Sequence, residues 1–380
     1  MLPVPTGRNG IGSTRFVVDA TGERPLVVTA WYPADPRSER TRIAPYLREE
    51  AALRTMAAWG RNPGPMLLRH AGVVTHSQLD APVVRRTLPV VVFSHGYLDQ
   101  PSNYTALMEE LASHGYVVFS VAHTGETMAV SLPNDRISSI FRAEGGVHVT
   151  PAAVLAEWTT EDSVATAVTT AATTAAAEAR LRAYLGSLPA STAAVDRWAD
   201  DVRRVVDDLH VRNVRDSGTH FAQRLDLQRV AVVGHSMGGV ASAAFCARDA
   251  RCGAAINLDG SPQYGDLIDH PSRAPFLMVY GSRPGRVGVS DVVYDKGANY
   301  WRAVVEGALH LNFGDWQYWP AGSPIASALG SISAAECTAV VHRLVREFLD
   351  HTLRRARAPL FIENVSLPLL SLTRRTGAPR

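Results

Sequence analysis

The feature that most constrains this 380-residue chain is a series of short, continuous apolar runs, most of them ending in glycine or histidine. They read LPVVVFSHG (88–96), YVVFSVAH (116–123), RVAVVGHS (229–236), CGAAINLDG (252–260) and APFLMVYGS (274–282). A strand that alternates apolar and polar residues buries one face; a continuous run of Val, Ile and Phe buries both. Most of these runs are separated by stretches with helical spacing. Residues 103–114 stop at Gly115, a suitable residue just past a helix end. RWADDVRRVVDDLHV (197–211) is strongly amphipathic, and AAECTAVVHRLVREFLDHTL (334–353) reads as a closing helix. Strands alternating with helices predict an α/β fold, with a mostly parallel central sheet and helices on both faces. RFVVDA (15–20) and PLVVTAWYPA (25–34) add an opening antiparallel hairpin.

Two regions break this rhythm. Residues 37–86 hold a short helical pattern around 49–59. Residues 125–192 interrupt the alternation for longer, around an Ala/Thr-rich helical core at 159–186. The chain therefore reads as one domain over 1–380 carrying a helical insertion at 125–192. That insertion is a candidate lid, with a merely decorative role left open.

Composition narrows the partners. Apolar residues make up 46% and charged residues 19%, ordinary values for a chain with a large core. The net charge of +2 gives no bulk attraction to nucleic acid. No apolar run is long enough for a transmembrane helix. The N-terminal MLPVPTGRNGIGSTRF lacks the charged start and apolar centre of a secretory leader, so a cytoplasmic location is expected unless a leader has been removed. Cys246 and Cys252 could bridge in an oxidising compartment, but buried free thiols are the expectation. With no zinc-like spacing of cysteine and histidine, no metal or other cofactor is expected. The oligomeric state is not legible.

The chemistry centres on Gly234-His235-Ser236-Met237-Gly238. A serine hydroxyl becomes a useful nucleophile beside a base. The glycines permit a sharp strand-to-helix turn that exposes it. RVAVV supplies the strand, and MGGVASAAFCARDA starts a helix with small residues, where the Met237 N–H would face a developing oxyanion. His310 follows the strand-like WRAVVEG in a loop and is the expected base. His235 stays a turn residue. For the acid, Asp259 at the end of the INLDG strand is the first candidate, and Asp291, about nine residues after the next strand, is the runner-up. The loop SHGYLDQPSNY (94–104) would offer the Tyr97 N–H as a second oxyanion donor, with the Tyr97 ring and Met237 side chain lining the acyl site. Phe313 and Trp316 are further candidates for the substrate wall.

Four segments together resemble the plasma-type platelet-activating-factor acetylhydrolases and their bacterial relatives, within the α/β-hydrolases. They are PTGRNGIGSTRF with WYPA, FSHGY with LASHGYVVFSVAH, GHSMGG with CGAAINLDG, and GALHLNF. The resemblance implies an α/β-hydrolase fold and a cofactor-free triad of Ser236, Asp259 and His310, favouring Asp259 over Asp291. It also implies backbone donors at Tyr97 and Met237. The expected activity is hydrolysis of short-chain carboxylic esters, a small-molecule class that in this family extends to phospholipids. No stripe of Trp, Leu and Phe with basic flanks marks a membrane-docking helix. Two other readings stay open: an acyltransferase or cyclase using the same triad, and a non-catalytic binding protein on the same scaffold.

Overall fold

In the computed structural model, which describes residues 1–35, 42–60, 63–141, 151–215, 221–297, 299–319, 325–363 and 365–375, the apolar runs form the strands expected of them. The chain divides into two compact units, one comprising 1–150 and 201–228, the other 151–200 and 229–380.

The first unit carries β1 (Ile11–Val18), β2 (Leu26–Pro33), β3 (Ile43–Pro45), β4 (Val74–Leu79), β5 (Leu88–Ser94) and β6 (Val117–Ala122). Their order across the sheet is β5-β6-β2-β1-β4-β3. β1 and β2 form the expected antiparallel hairpin, and β5 and β6 run parallel. Val90, Val91, Val92 and Phe93 are fully buried, as a strand covered on both faces requires. Complete burial of each such side chain contributes about 1.5–3 kcal/mol. Helices α1 (Glu50–Ala57), α2 (Gly64–Leu68) and α3 (Thr105–Ser113) complete this part. Gly115, at φ +93°, turns the chain out of α3 and into β6.

The interval 125–192, expected to form one insertion, divides between the two units at residue 150. A hairpin of β7 (Val130–Ser131) and β8 (Ile137–Ser138) belongs to the first unit. The Met128 N–H bonds the Asp99 carbonyl at 2.9 Å, and Met128, Ala129 and Val130 are buried. Residues 142–150 of the expected insertion lie outside the described residues. Its remainder folds as α4 (Pro151–Glu157), α5 (Glu161–Thr169) and α6 (Thr174–Leu185), followed by the long α7 (Pro189–Val214).

The second unit is built on β9 (Leu225–His235), β10 (Cys252–Leu258), β11 (Phe276–Gly281), β12 (Tyr300–Val305) and β13 (Leu370–Arg375). β9 to β12 are parallel neighbours, and β13 closes the edge antiparallel to β12. The sequence reading missed β13, because LSLTRR is a half-exposed edge strand with no apolar run. α8 (Met237–Arg248), α9 (Asp291–Tyr294), α10 (Ala334–Leu349) and α11 (Pro359–Ile362) fill the connections. α10 starts on a reciprocal cap: Ser333 Oγ accepts the Glu336 N–H, and the Glu336 carboxylate accepts the Ser333 N–H. Among the described residues no helix is long and apolar enough to cross a membrane.

The expectation of free thiols at Cys246 and Cys252 is corrected. The two are joined in a disulfide, with Cα atoms 5.1 Å apart. The turn after α8 returns the chain within bridging range: Asp249 O accepts the Cys252 N–H at 3.1 Å, and Asp249 Oδ1 accepts the Arg251 N–H at 2.9 Å. Cys337 is free and buried.

Candidate active site

Ser236 sits between the end of β9 and the first residue of α8 with φ +55° and ψ −128°, a region L-residues occupy only under constraint. Its surroundings supply that constraint. The Ser236 N–H donates to the Leu258 carbonyl at 2.9 Å, and its own carbonyl accepts the Gly239 N–H at 2.9 Å. There is no room beside the turn for larger residues. A Cβ on Gly234 would lie 2.2 Å from the Gly238 backbone, and one on Gly260 would lie 2.2 Å from the Ser236 carbonyl. Strand, turn and small-residue helix together hold the hydroxyl at the C-terminal end of the sheet, facing a cavity.

Asp259 follows β10 and is also held at positive φ, +55°. Its Oδ1 accepts the Gly281 N–H at 2.7 Å, and its Oδ2 accepts the Nδ1–H of His310 at 2.8 Å. A carboxylate can only accept here, so the proton is on Nδ1 and the Nε2 lone pair is left as a base. The loop carrying His310 is fixed by Asn312, whose Oδ1 accepts the N–H groups of Leu309 at 2.9 Å and Gly330 at 2.7 Å. His235 donates from Nε2 to the His310 carbonyl at 3.0 Å, a positioning contact for this turn histidine.

Asp291 is engaged elsewhere. Its carboxylate accepts from Tyr300 Oη at 2.6 Å and from Arg302 at 2.8 Å. Burial, with the Asp291 charge second, keeps the Tyr280 phenol well above its usual value. The geometry thus brings His310 to Asp259, and Asp291 anchors the outer strands.

Ser236, Asp259 and His310 all line one cavity of about 520 Å³. Its apolar wall includes Trp158, Met278, Tyr280, Val289 and Leu309, and its polar wall includes Glu161, Ser261, Gln263, Arg283 and Arg286. Trp158 and Glu161 come from the segment 151–169 that carries α4 and α5, so that segment forms part of the wall. Arg286 ties it down: Nε bonds Asp162 at 2.7 Å, and a terminal nitrogen bonds Glu161 at 3.1 Å. The sequence reading named none of these wall residues, since the pairing of α5 with the loop after β11 joins positions more than a hundred residues apart.

The expected substrate wall is revised accordingly. Phe313 is buried with its ring nearly parallel to that of His235 at 6.3 Å, and Trp316 is buried against Trp319 at 4.3 Å. The Met237 side chain is fully buried. None of the three is among the described residues lining the cavity.

Tyr97 belongs to the first unit, where the loop after β5 is held tightly. The carbonyl of the Gly96–Tyr97 peptide accepts from His95 Nδ1 at 2.7 Å and from the Asp99 N–H at 3.1 Å. The Gly96 N–H donates to Tyr104 Oη at 3.0 Å, and that hydroxyl donates to Asp99 at 2.7 Å. Complete burial, with His123 close by, pushes the His95 pKa down to about 3, so the imidazole stays neutral. The peptide plane is therefore fixed, and with it the direction of the Tyr97 N–H. Among the described residues no group of three His, Cys, Asp or Glu side chains could hold a metal ion.

Comparison with known proteins bears on the same elements. The family model for platelet-activating factor acetylhydrolase, isoform II, matches residues 1–139 and 202–358. The unmatched interval contains α4, α5 and α6. Among solved structures, a ferulic acid esterase from Streptomyces cinnamoneus aligns with a TM-score of 0.70 and 26% identity, over 98% of each chain. That likeness carries the α/β-hydrolase fold over 98% of the chain.

Proposed function

The chain belongs to the family of platelet-activating factor acetylhydrolase, isoform II, and on that premise we propose that it cleaves carboxylic esters through an acyl-enzyme on Ser236. That it is a carboxylic ester hydrolase follows from the family and from the esterase neighbour. The assignment of roles is our own reading, and the observation that carries it is the 2.8 Å bond from His310 Nδ1 to Asp259 in the cavity that Ser236 also lines.

In this mechanism Ser236 Oγ attacks the ester carbonyl carbon while its proton passes to His310 Nε2. Asp259 holds the ring in the required tautomer and stabilises the imidazolium. The Met237 N–H at the start of α8, aided by the helix dipole, stabilises the developing oxyanion. The tetrahedral intermediate collapses, and the alcohol departs with the proton from His310. Water then attacks the acyl carbon, giving its proton to His310, and the acid is released as the proton returns to Ser236.

For the substrate we propose neutral esters. Arg286 is paired with Glu161 and Asp162, so the cationic wall has no surplus charge for a phosphate. Short acyl esters remain the first reading. The second is an ester of an aromatic acid, favoured by Trp158 and Tyr280 in the wall and by the ferulic acid esterase neighbour. The α4–α6 segment serves as a lid in this account. The test is a hydrolysis profile over 4-nitrophenyl esters of increasing acyl length, methyl ferulate and a short-sn-2 phospholipid, with and without an alcohol acceptor. The neutral esters should be hydrolysed, the phospholipid at least about tenfold more slowly in kcat/KM, and water should remain the main acceptor. A phospholipid preference or predominant acyl transfer would overturn this reading.

A further inference from the structure

Gln263 lies on the loop after β10, four residues past Asp259. It lines the same cavity as Ser236 and His310, yet it is only 4% exposed. Among the described residues its side-chain oxygen has no hydrogen-bond partner. Leaving a buried amide in that condition is unfavourable, and most buried polar side chains avoid it. Two residues earlier, Ser261 also lines the cavity. Its Oγ accepts from Arg286 at 2.9 Å, an arrangement that leaves the hydroxyl proton to be donated elsewhere.

The neighbouring charges are already satisfied. Arg286 is held by Glu161 and Asp162, and Arg283 pairs with Asp162. The polar wall of the cavity therefore offers the Gln263 amide, either end of which can be turned to it, and the Ser261 hydroxyl, with no unbalanced charge. An alcohol or phenol hydroxyl complements that pair, donating to Gln263 and accepting from Ser261. It also satisfies the amide whichever end of Gln263 faces the cavity, because a hydroxyl can donate or accept. The apolar part of the wall, with Trp158, Met278 and Tyr280, suits the carbon skeleton that carries such a group.

We propose that Gln263 and Ser261 form a hydroxyl-recognition subsite, so that the enzyme selects uncharged esters bearing a hydroxyl group remote from the ester carbonyl. The proposal rests on the reading of this cavity as the ester site. A site built to bond a hydroxyl discriminates strongly against the analogue lacking it, because its own polar groups are then left unpaired.

The test separates binding from turnover. The Ser236→Ala protein is titrated with methyl 3-(4-hydroxyphenyl)propanoate and with methyl 3-phenylpropanoate, which differ by one hydroxyl. The hydroxylated ester should bind about tenfold more tightly or better. In Ser236→Ala/Gln263→Leu the difference should fall to within about twofold, and Ser236→Ala/Ser261→Ala should reduce it as well, so the result does not depend on one variant folding. Equal affinities in Ser236→Ala would mean that solvent alone serves the amide and would overturn the proposal, as would an undiminished preference in the folded double variants. Turnover of 4-nitrophenyl acetate by the wild type is measured alongside. Discrimination in binding without wild-type turnover defeats the esterase reading and leaves the subsite standing. Turnover without discrimination defeats the subsite alone.

Discussion

His310 donates its Nδ1 proton to Asp259 Oδ2 at 2.8 Å, and Asp259 meets it from the end of β10 while its other oxygen is held by the Gly281 N–H. One carboxylate thus joins three parallel strands, orienting a base from the loop after β12 while bonded to the end of β11. The competing carboxylate, Asp291, is bound to Tyr300 and Arg302.

This relationship separates two substitutions. Asp259→Asn keeps the shape but favours the wrong imidazole tautomer, and kcat should fall by about four orders of magnitude. Asp291→Asn should leave kcat within about threefold while lowering stability by about 1–3 kcal/mol through the lost charge-assisted bonds. Steady-state kinetics and urea unfolding on both variants decide it; the reverse pattern would move the acid to Asp291.

Acid should destabilise the protein through the buried histidines of the first unit. His95 stays neutral when folded, its pKa held down to about 3 by burial, whereas an unfolded histidine protonates near 6.5. A depressed histidine contributes stability above the unfolded value, and that contribution is lost as pH falls below it. Between pH 6.5 and 5 the loss for His95 is about 2 kcal/mol. His123, also depressed by burial, adds in the same direction. His76, raised by its bond to Glu109, acts in the opposite sense, favouring the folded state below its unfolded value and losing that contribution as pH rises. Its side chain is 28% exposed, so the buried pair should dominate. Urea midpoints at pH 7.5, 6.5 and 5 test the balance, and a midpoint that rises on acidification would contradict it.

The thiols give an independent check on the second unit. Burial pushes the Cys337 pKa up to about 12, so it should not react with a thiol reagent in the native protein. Denaturation without reductant should expose one thiol, and denaturation with reductant three. Replacing Cys246 and Cys252 by serine should lower stability by about 2 kcal/mol, the loop-closure value for so short a span. Three reactive thiols without reductant would show that the bridge does not form.

How far the sequence reached depended on whether a feature is local. The turn at Ser236 was legible because strand, glycines and small-residue helix are contiguous, and each is needed for a positive-φ serine to fit. Position favoured Asp259 over Asp291 without deciding between them, since both follow strand ends. What distinguishes them is tertiary: Tyr300 and Arg302 surround one, and the His310 loop reaches the other. The cavity wall was illegible for the same reason. Glu161 and Asp162 meet the loop after β11 only in the fold, where Arg286 binds both. Phe313 and Trp316 lie close to His310 in sequence, but both are buried and neither is among the described residues lining the cavity. The Cys246–Cys252 bridge hung on the return of the chain after α8, which a spacing of six residues does not specify.

The central claim, that Ser236 is an activated nucleophile, is tested most directly by treating the protein with a fluorophosphonate and locating the adduct by peptide mass spectrometry. The account predicts one adduct, on Ser236, absent from Ser236→Ala and formed at least about a hundredfold more slowly in His310→Ala. A wild-type protein that remains unlabelled, or an adduct on another residue, would contradict it.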